Sequence, residues 1–436
     1  MDPAPVKVKS NRPPSLKIDV ELVTRQFGGG AAARTVDPDL WLRPSAVRGA
    51  LRFWWRALNA HTYRRVEELR SAENEVFGSQ ATDRSAGPGE LSLTVVQPRR
   101  DPQRLEEWTP PQGDALNGAY FPAQKMGKGS VASWLLRPGA TATIGLDFGK
   151  LTQQQQAQVC QSLAAYVVFG GSGARTRRAA GSICFASAES ARRLEAPYDL
   201  DSLYQWCERL PRGESSLGVF SVAPRDGIYI TPRPDSSGEL AQRQLLQMWR
   251  EFRQHRTHPN TWMGATGWGR TKWPEADAIR FVTGQHARWE SGTVHAPEHA
   301  NKGRAPRAHL GLPIGMKFKD DELTRFDKAT QQKQQVFHPT RRQLLQPEPE
   351  NTELVLAENG KLVSDRYASP VILSVVRVAD GAKSGYAGVV LVTPSLLGTG
   401  VSIRQKMQTR LDPGSWHDVK TKLTSHLERL NFRKVD

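Results

Sequence analysis

The chain has 436 residues, 38% of them hydrophobic and 12 of them tryptophan, enough to fill two or three domain cores and to exclude wholesale disorder. No apolar run approaches the roughly 18 residues of a membrane span. The opening MDPAPVKVKSNRPPS lacks the apolar core of a signal peptide, and Cys160, Cys184 and Cys207 form no CxxC pair, which argues against a zinc ribbon or disulfide framework and for a reducing cytoplasm.

Residues 1–15 read as a flexible N-terminus. Leu16–Thr24 alternates apolar and polar residues, the pattern of a half-buried strand. A glycine-rich connection, Phe27-Gly28-Gly29-Gly30, runs on to Pro44, and Ser45 is predicted to cap a helix with Val47, Leu51, Trp54 and Leu58 on one face. After a loop at Gly78–Gly89 come a strand at Glu90–Val96, a proline-rich excursion at Pro98–Pro122 and a strand at Ala140–Phe148. The spacing of Val159, Leu163, Tyr166 and Val167 predicts a helix over Leu151–Phe169, followed by Gly170–Gly173 and a strand at Ser182–Ala186. The order β-α-β-β-α-β is ferredoxin-like, an arrangement shared by RNA-binding modules and many unrelated proteins.

The second half carries strand patterns at Val219–Val222, Gly227–Ile230, Pro370–Val378 and Tyr386–Val392. Helices are predicted at Glu239–Gln254, with Leu245, Trp249 and Phe252 inward, and at Trp416–Leu430. Only six residues follow that last helix, so a final strand is expected to be absent or supplied from elsewhere. The expected fold is α+β: tandem ferredoxin-like domains over 16–195 and 196–436, the second degenerate and interrupted by a basic, aromatic insertion over 256–367. Within it Asp327–Glu358 reads as a mobile linker or lid.

Sixty Lys+Arg against 44 Asp+Glu leave a charge of +16, a field that attracts polyanions. The charge is patched, with seven arginines and two glutamates from Trp41 to Arg70. In Arg43–Leu58 (RPSAVRGALRFWWRAL) a helix sets Arg48, Arg52 and Arg56 in one stripe, beside Arg43, Ser45 and Gly49. A helix N-terminus favours an anion, a guanidinium forks onto phosphate, and Gly49 leaves room for a sugar-phosphate chain. Read structurally, the stripe is a solvated basic face, and Trp54 and Trp55 belong to the core. A second segment, Gly170-Gly171-Ser172-Gly173-Ala174-Arg175-Thr176-Arg177-Arg178, combines glycines that let the backbone come close with three arginines. It is neither a Walker loop nor a dinucleotide fingerprint; its plain alternative is a tight turn.

The serine–apolar–basic–glycine–apolar–arginine core of the first motif resembles the helix-start motif of RAMP proteins in CRISPR complexes. Phe53-Trp54-Trp55-Arg56-Ala57-Leu58 is similar to the first RAMP subunit of the type III-B (Cmr) effector. The second motif resembles the RAMP glycine-rich loop, except that the usual glycine–aromatic–glycine ending is Ala179-Ala180-Gly181, which questions a close backbone contact there. Gly269–Arg280, Gly311–Ile314 and Ala368–Val371 look like further landmarks of that family. In the first of these, Arg270, Lys272, Trp273 and Arg280 are candidates to grip and stack single-stranded RNA, with a structural role for Trp273 the alternative.

The resemblance implies a non-catalytic subunit of an RNA-guided antiviral ribonucleoprotein that holds the guide 3′ region or target RNA beside other Cmr RAMP subunits. No cofactor, metal or membrane is implied. The rival readings are a mainly structural adaptor and a metal-dependent ribonuclease using Asp37 and Asp39, in the loop where RAMP backbone subunits of type III complexes carry a cleaving aspartate. Asp37 precedes Pro38, where aspartate also serves local backbone bonding. Six of the ten histidines fall between His255 and His309, without HExxH or cysteine partners.

Overall fold

The computed structural model describes residues 14–30, 35–37, 39–79, 87–98, 104–109, 114–123, 133–211, 217, 227–254, 271, 273–286, 288–289, 292–293, 297–312, 314–316, 318, 323–326, 333–337, 344–350, 352–364, 366–380, 383–395, 397, 400–404 and 406–435. Contacts divide the chain into one unit of Met1–Leu246, Ile372–Thr393 and Asn431–Asp436 and another of Gln247–Val371 and Pro394–Leu430. Both are mixed α+β with antiparallel sheets.

The first unit begins with strand β1 (Leu16–Leu22), helices α1 (Pro44–Asn59) and α2 (Val66–Phe77), strands β2 (Ser92–Val96) and β3 (Thr141–Asp147), helix α3 (Gln153–Phe169) and strand β4 (Ile183–Phe185). Their sheet has the order β2-β3-β1-β4, with β1 antiparallel to β3 and β4, and Ile18 opposite Ile144. The period-two pattern aims Ile18, Val20, Leu22, Ile144 and Leu146 at one face. There they join Val47, Leu51, Trp54 and Leu58 of α1 and Val159 and Leu163 of α3 in one buried cluster. Trp54 and Phe169 bring the two helices together with ring centroids 5.7 Å apart. α3 starts two residues later than its periodicity suggests, because Thr152 and Gln155 close a reciprocal capping box.

A second sheet in the same unit is built from β5 (Ile228–Ile230), β6 (Val371–Asp380), β7 (Lys383–Val392) and β8 (Arg433–Lys434), in the order β6-β7-β5-β8. Between β5 and β6 in sequence come helix α4 (Gly238–Gln254) and other elements, and the helix Trp416–Arg429 precedes β8. The final strand expected to be missing is therefore present. It is two residues long, with Arg433 opposite Ile230 and Lys434 opposite Tyr229, too short for any periodicity to announce it. α2 has no counterpart in the sequence reading either, since a glutamate, Glu73, is among its four buried residues. The strand pattern at Val219–Val222 lies outside the described residues.

In the second unit the described residues of the insertion include a helix and paired strands. The helix Glu275–Thr283 and a sheet ordered Ile314–Met316, Thr352–Glu358, Val401–Ile403, Lys406–Leu411 share a core of Ile279, Leu312, Leu354 and Val401. This corrects the linker reading of Asp327–Glu358: Lys333–Phe337 and Leu344–Gln346 are paired strands, and so is Thr352–Glu358, whose Leu354, Val355 and Ala357 are buried. Among the described residues no helix is long and apolar enough to cross a membrane.

Removing Asn431–Asp436 should lower stability, because Phe432 and Val435 are 8% and 1% exposed and the Val435 amide donates to the Ile228 carbonyl at 3.0 Å. Each buried side chain contributes about 1.5–3 kcal/mol. Urea denaturation of the shortened chain checks this, and an unchanged midpoint would mean that β8 adds nothing to the sheet.

Candidate nucleic-acid interface

α1 opens without a side-chain cap. Arg43 is its N-cap in extended conformation and makes no capping bond, and a proline stands in the first turn. This corrects the expectation that Ser45 is the cap: Pro44, with fixed φ and no N–H, takes the first helical position and moves the cap back by two residues. Ser45 and Ala46 are exposed, so the positive end of the helix dipole meets solvent without a capping side chain. One turn on, Gly49 is exposed, and a Cβ there would meet nothing within 4 Å.

The arginine stripe is engaged inside the protein. Arg48 donates through Nη1 and Nη2 to the carbonyls of Phe77 and Leu91, each at 3.0 Å. Arg52 places Nε 2.5 Å from Oε1 of Glu73 and donates through Nη1 to the Gly78 carbonyl at 3.0 Å. Arg56 reaches the same Glu73 oxygen at 2.7 Å. Burial, and secondarily the neighbouring Arg52, pushes the pKa of Arg48 down. The expected outward stripe is thus a clamp between α1 and the end of α2, because chain-remote carbonyls and a buried carboxylate satisfy it.

The glycine-rich loop folds onto the first connection. The Ala174 amide donates to the Phe27 carbonyl at 2.6 Å, and the Ser172 hydroxyl to the Trp41 carbonyl at 2.8 Å. Gly173 has φ +88°, and a Cβ on it would lie 2.6 Å from the Phe27 carbonyl oxygen; one on Gly29 would lie 3.4 Å from Gly173 Cα. Three segments therefore meet: the entrance of α1, Gly28–Gly30, and the loop leaving α3 through Gly170 and Gly171. At the loop's other end the Ser172 amide donates to the Gly181 carbonyl at 2.8 Å, so the Ala179-Ala180-Gly181 ending does make a close backbone contact, internally.

The loop arginines go three ways. Arg175 is exposed and donates through Nη2 to the Gly118 carbonyl at 2.8 Å. Arg177 lies with Cζ 5.9 Å from the centre of the Phe53 ring. Arg178 is 8% exposed and turned inward, donating to the Arg177 carbonyl, which corrects its assignment to a surface contact.

Residues 19–184 match the RAMP superfamily. That segment is what this chain shares with the RAMP superfamily. It runs from β1 into β4, so both motifs lie inside it. Among solved structures, Cmr1 from Pyrococcus furiosus in its apo form is similar at 16% identity and a TM-score of 0.49, covering 96% of this chain and 98% of that one. A chain of the type III-B Cmr-beta complex bound to cognate target RNA is similar at 10% identity and a TM-score of 0.46, covering 94% and 99%. A comparison with curated proteins found no match.

Within the matched segment Asp37 is engaged locally. Its Oδ1 accepts from the amides of Asp39 and Leu40, both at 3.1 Å, and its Oδ2 lies 3.4 Å from Arg43 Nη2. Gln26 and Glu73 shape the site without having been singled out by sequence; the signal available was a glutamine immediately ahead of Phe27-Gly28-Gly29-Gly30.

Beyond that segment, Arg270 and Lys272 lie outside the described residues. Trp273 is 3% exposed, donates through Nε1 to the Phe252 carbonyl at 3.2 Å and meets the Phe252 ring edge-on. Arg280 is buried between Glu348 at 2.8 Å and Asp277 at 3.0 Å. Neither is placed to touch RNA: burial removes the base-stacking face of one, and two carboxylates hold the other. Among the described histidines, His309 is buried between the Ser395 hydroxyl at 2.9 Å and the Gly414 carbonyl at 3.1 Å, and burial pushes its pKa down. No three His, Cys, Asp or Glu side chains form a metal-holding group among the described residues.

Arg48→Ala should lower unfolding stability by about 1–3 kcal/mol, since two carbonyls lose their donor. Chemical denaturation measures it. An unaltered midpoint would detach Arg48 from the clamp.

Proposed function

We propose that this chain is a non-catalytic RNA-binding subunit of a type III-B CRISPR ribonucleoprotein. The observation that carries the reading is the convergence of an uncapped helix start with two glycine-rich connections, joined through the Trp41 carbonyl and the Gly29–Gly173 approach. Around it Ser45, Gly49, Gly173 and Arg175 are exposed. Backbone amides, a helix dipole and the nearby Arg175, whose guanidinium also bonds the Gly118 carbonyl, suit phosphodiester oxygens of any sequence.

The open face of the first sheet supports phosphate gripping over base reading. It presents Lys17, Asp19 and Glu21 of β1, Ser92, Thr94 and Val96 of β2, and Thr141 and Thr143 of β3. None of these is aromatic, so bases have no platform on which to stack as they do on RRM sheets. The engagement of Asp37 in its own turn and with Arg43 supports the absence of nuclease chemistry, which needs carboxylates free to converge on a metal. The strand orders of the two sheets, second-third-first-fourth in each case, support tandem ferredoxin-like domains. Contact with the guide 3′ region, with target RNA and with neighbouring Cmr RAMP subunits follows from the motif resemblance. The inward arginine clamp favours one rival, a mainly structural adaptor.

Gly49→Glu separates the two. The added carboxylate enters open space and glutamate outranks glycine as a helix former by about 0.5–1 kcal/mol, so folding should be unharmed. RNA affinity should fall, and the slope of log K against log salt should shrink by about 0.7–0.9 for each phosphate the protein no longer neutralises. Unchanged affinity and slope would favour the adaptor. In the same preparations a labelled RNA should stay intact with Mg²⁺ or Mn²⁺ present; cleavage abolished by Asp37→Asn would restore the nuclease reading.

A further inference from the structure

Gln26 lies in the short strand Gln26–Phe27, which pairs with Leu135 and Leu136, and is 1% exposed. Its Nε2 donates to the Trp41 carbonyl at 3.0 Å and to the Gly28 carbonyl at 3.3 Å. Two carbonyl partners fix the amide's orientation, because only the NH₂ end can face both. Its Nε2 lies 3.2 Å from where a Cβ on Gly29 would stand, and its Cγ 2.8 Å from the corresponding point on Gly173. The Trp41 carbonyl also takes the Ser172 hydroxyl at 2.8 Å. One buried side chain therefore touches the α1 entrance and both glycine connections.

That placement leaves Oε1 of Gln26 buried without a hydrogen-bond partner among the described residues. A buried unpaired acceptor is unfavourable for folding. An apolar side chain of similar size would fill the space without it, so packing alone does not ask for glutamine here.

We infer that Gln26 is the positioning residue of the phosphate-binding cradle. It rests on the RNA-binding reading above, and Gln26 itself, being buried, touches no RNA. Its two donated hydrogen bonds set the distance between the first turn of α1 and the Gly28, Gly29 and Gly173 backbones, so that their amides converge on one phosphate.

The test uses the full chain, a single-stranded RNA and two variants, Gln26→Glu and Gln26→Leu, with binding measured over a salt series well below each melting temperature. In Gln26→Glu an ionised carboxylate confronts two carbonyls. Affinity at pH 8 should fall about tenfold, the worth of one charge-assisted hydrogen bond, with a shallower salt slope. Burial beside carbonyls raises the pKa of that glutamate, so lowering the pH should protonate it, return one O–H donor and restore binding relative to the wild type. Gln26→Leu should show the same loss with no recovery at low pH. Either variant, folded by circular dichroism, keeping wild-type affinity and salt slope would overturn the inference. Losses that only track the unfolded fraction, with an unchanged slope, would reduce Gln26 to a structural residue. A wild-type chain that binds no RNA would remove the RNA-binding reading itself.

Discussion

The carbonyl of Trp41 accepts two hydrogen bonds, from the Gln26 amide and from the Ser172 hydroxyl, and the meeting of the α1 entrance with both glycine connections depends on that junction. Trp41 stands two residues before the N-cap of α1. Its carbonyl is thus pinned both to the connection leaving β1 and to the loop leaving α3, parts of the chain 131 residues apart in the case of Ser172. A helix start becomes an anion site only when something fixes what faces it. Here the fixing is done by neutral groups, so charge is left for whatever the site receives.

The arginines show why composition alone misleads. A guanidinium stays charged at any ordinary pH and cannot be buried without acceptors. Wherever an arginine stem is drawn into packing, carbonyls or carboxylates must gather around the head. Arg48, Arg52 and Arg56 are drawn against α2, and the carbonyls of Phe77, Leu91 and Gly78 with the Glu73 carboxylate gather. Arg280 repeats this in the second unit with Asp277 and Glu348. Part of the net positive charge is therefore internal structure, and a helical stripe of arginine says which side chains share a face without saying what that face meets.

What was legible in the sequence follows from the same physics. Period-two and period-3.6 patterns record apolar burial, so β1, α1, β3 and α3 could be read, with Ile18, Val47, Leu51, Trp54 and Leu163 all buried in the common core. α2 buries Glu73 beside Leu69, Val76 and Phe77, which blurs its stripe. β8 spans two residues, below the length at which a period exists. The strand Thr352–Glu358 follows a polar stretch that masked it. At the site, the glycines were legible, and the helix start to within two residues, because backbone chemistry writes itself locally; the cap itself was misplaced by Pro44. The partners of Arg48, Trp273 and Arg280 were not, because each is fixed by tertiary contact rather than by spacing.

The open face of the first sheet bears on the RNA-binding reading proposed above. The first sheet buries its apolar side under α1 and α3 and leaves a side of hydroxyls with both charge signs, where Asp19 accepts from the Thr143 hydroxyl at 2.6 Å and Glu21 pairs with Arg377 at 3.0 Å. Groups satisfied in this way neither repel nor recruit a polyanion strongly, and they offer no ring to a base. Specific reading of bases needs edges or stacking, whereas a backbone grip needs donors at a fixed spacing. The first unit carries the second set of features at the end of its sheet, where loops meet a helix start, and lacks the first on its open face. For the RNA-binding role proposed above that division is physically coherent: base pairing between guide and target would supply the sequence information, and the protein would remain indifferent to it.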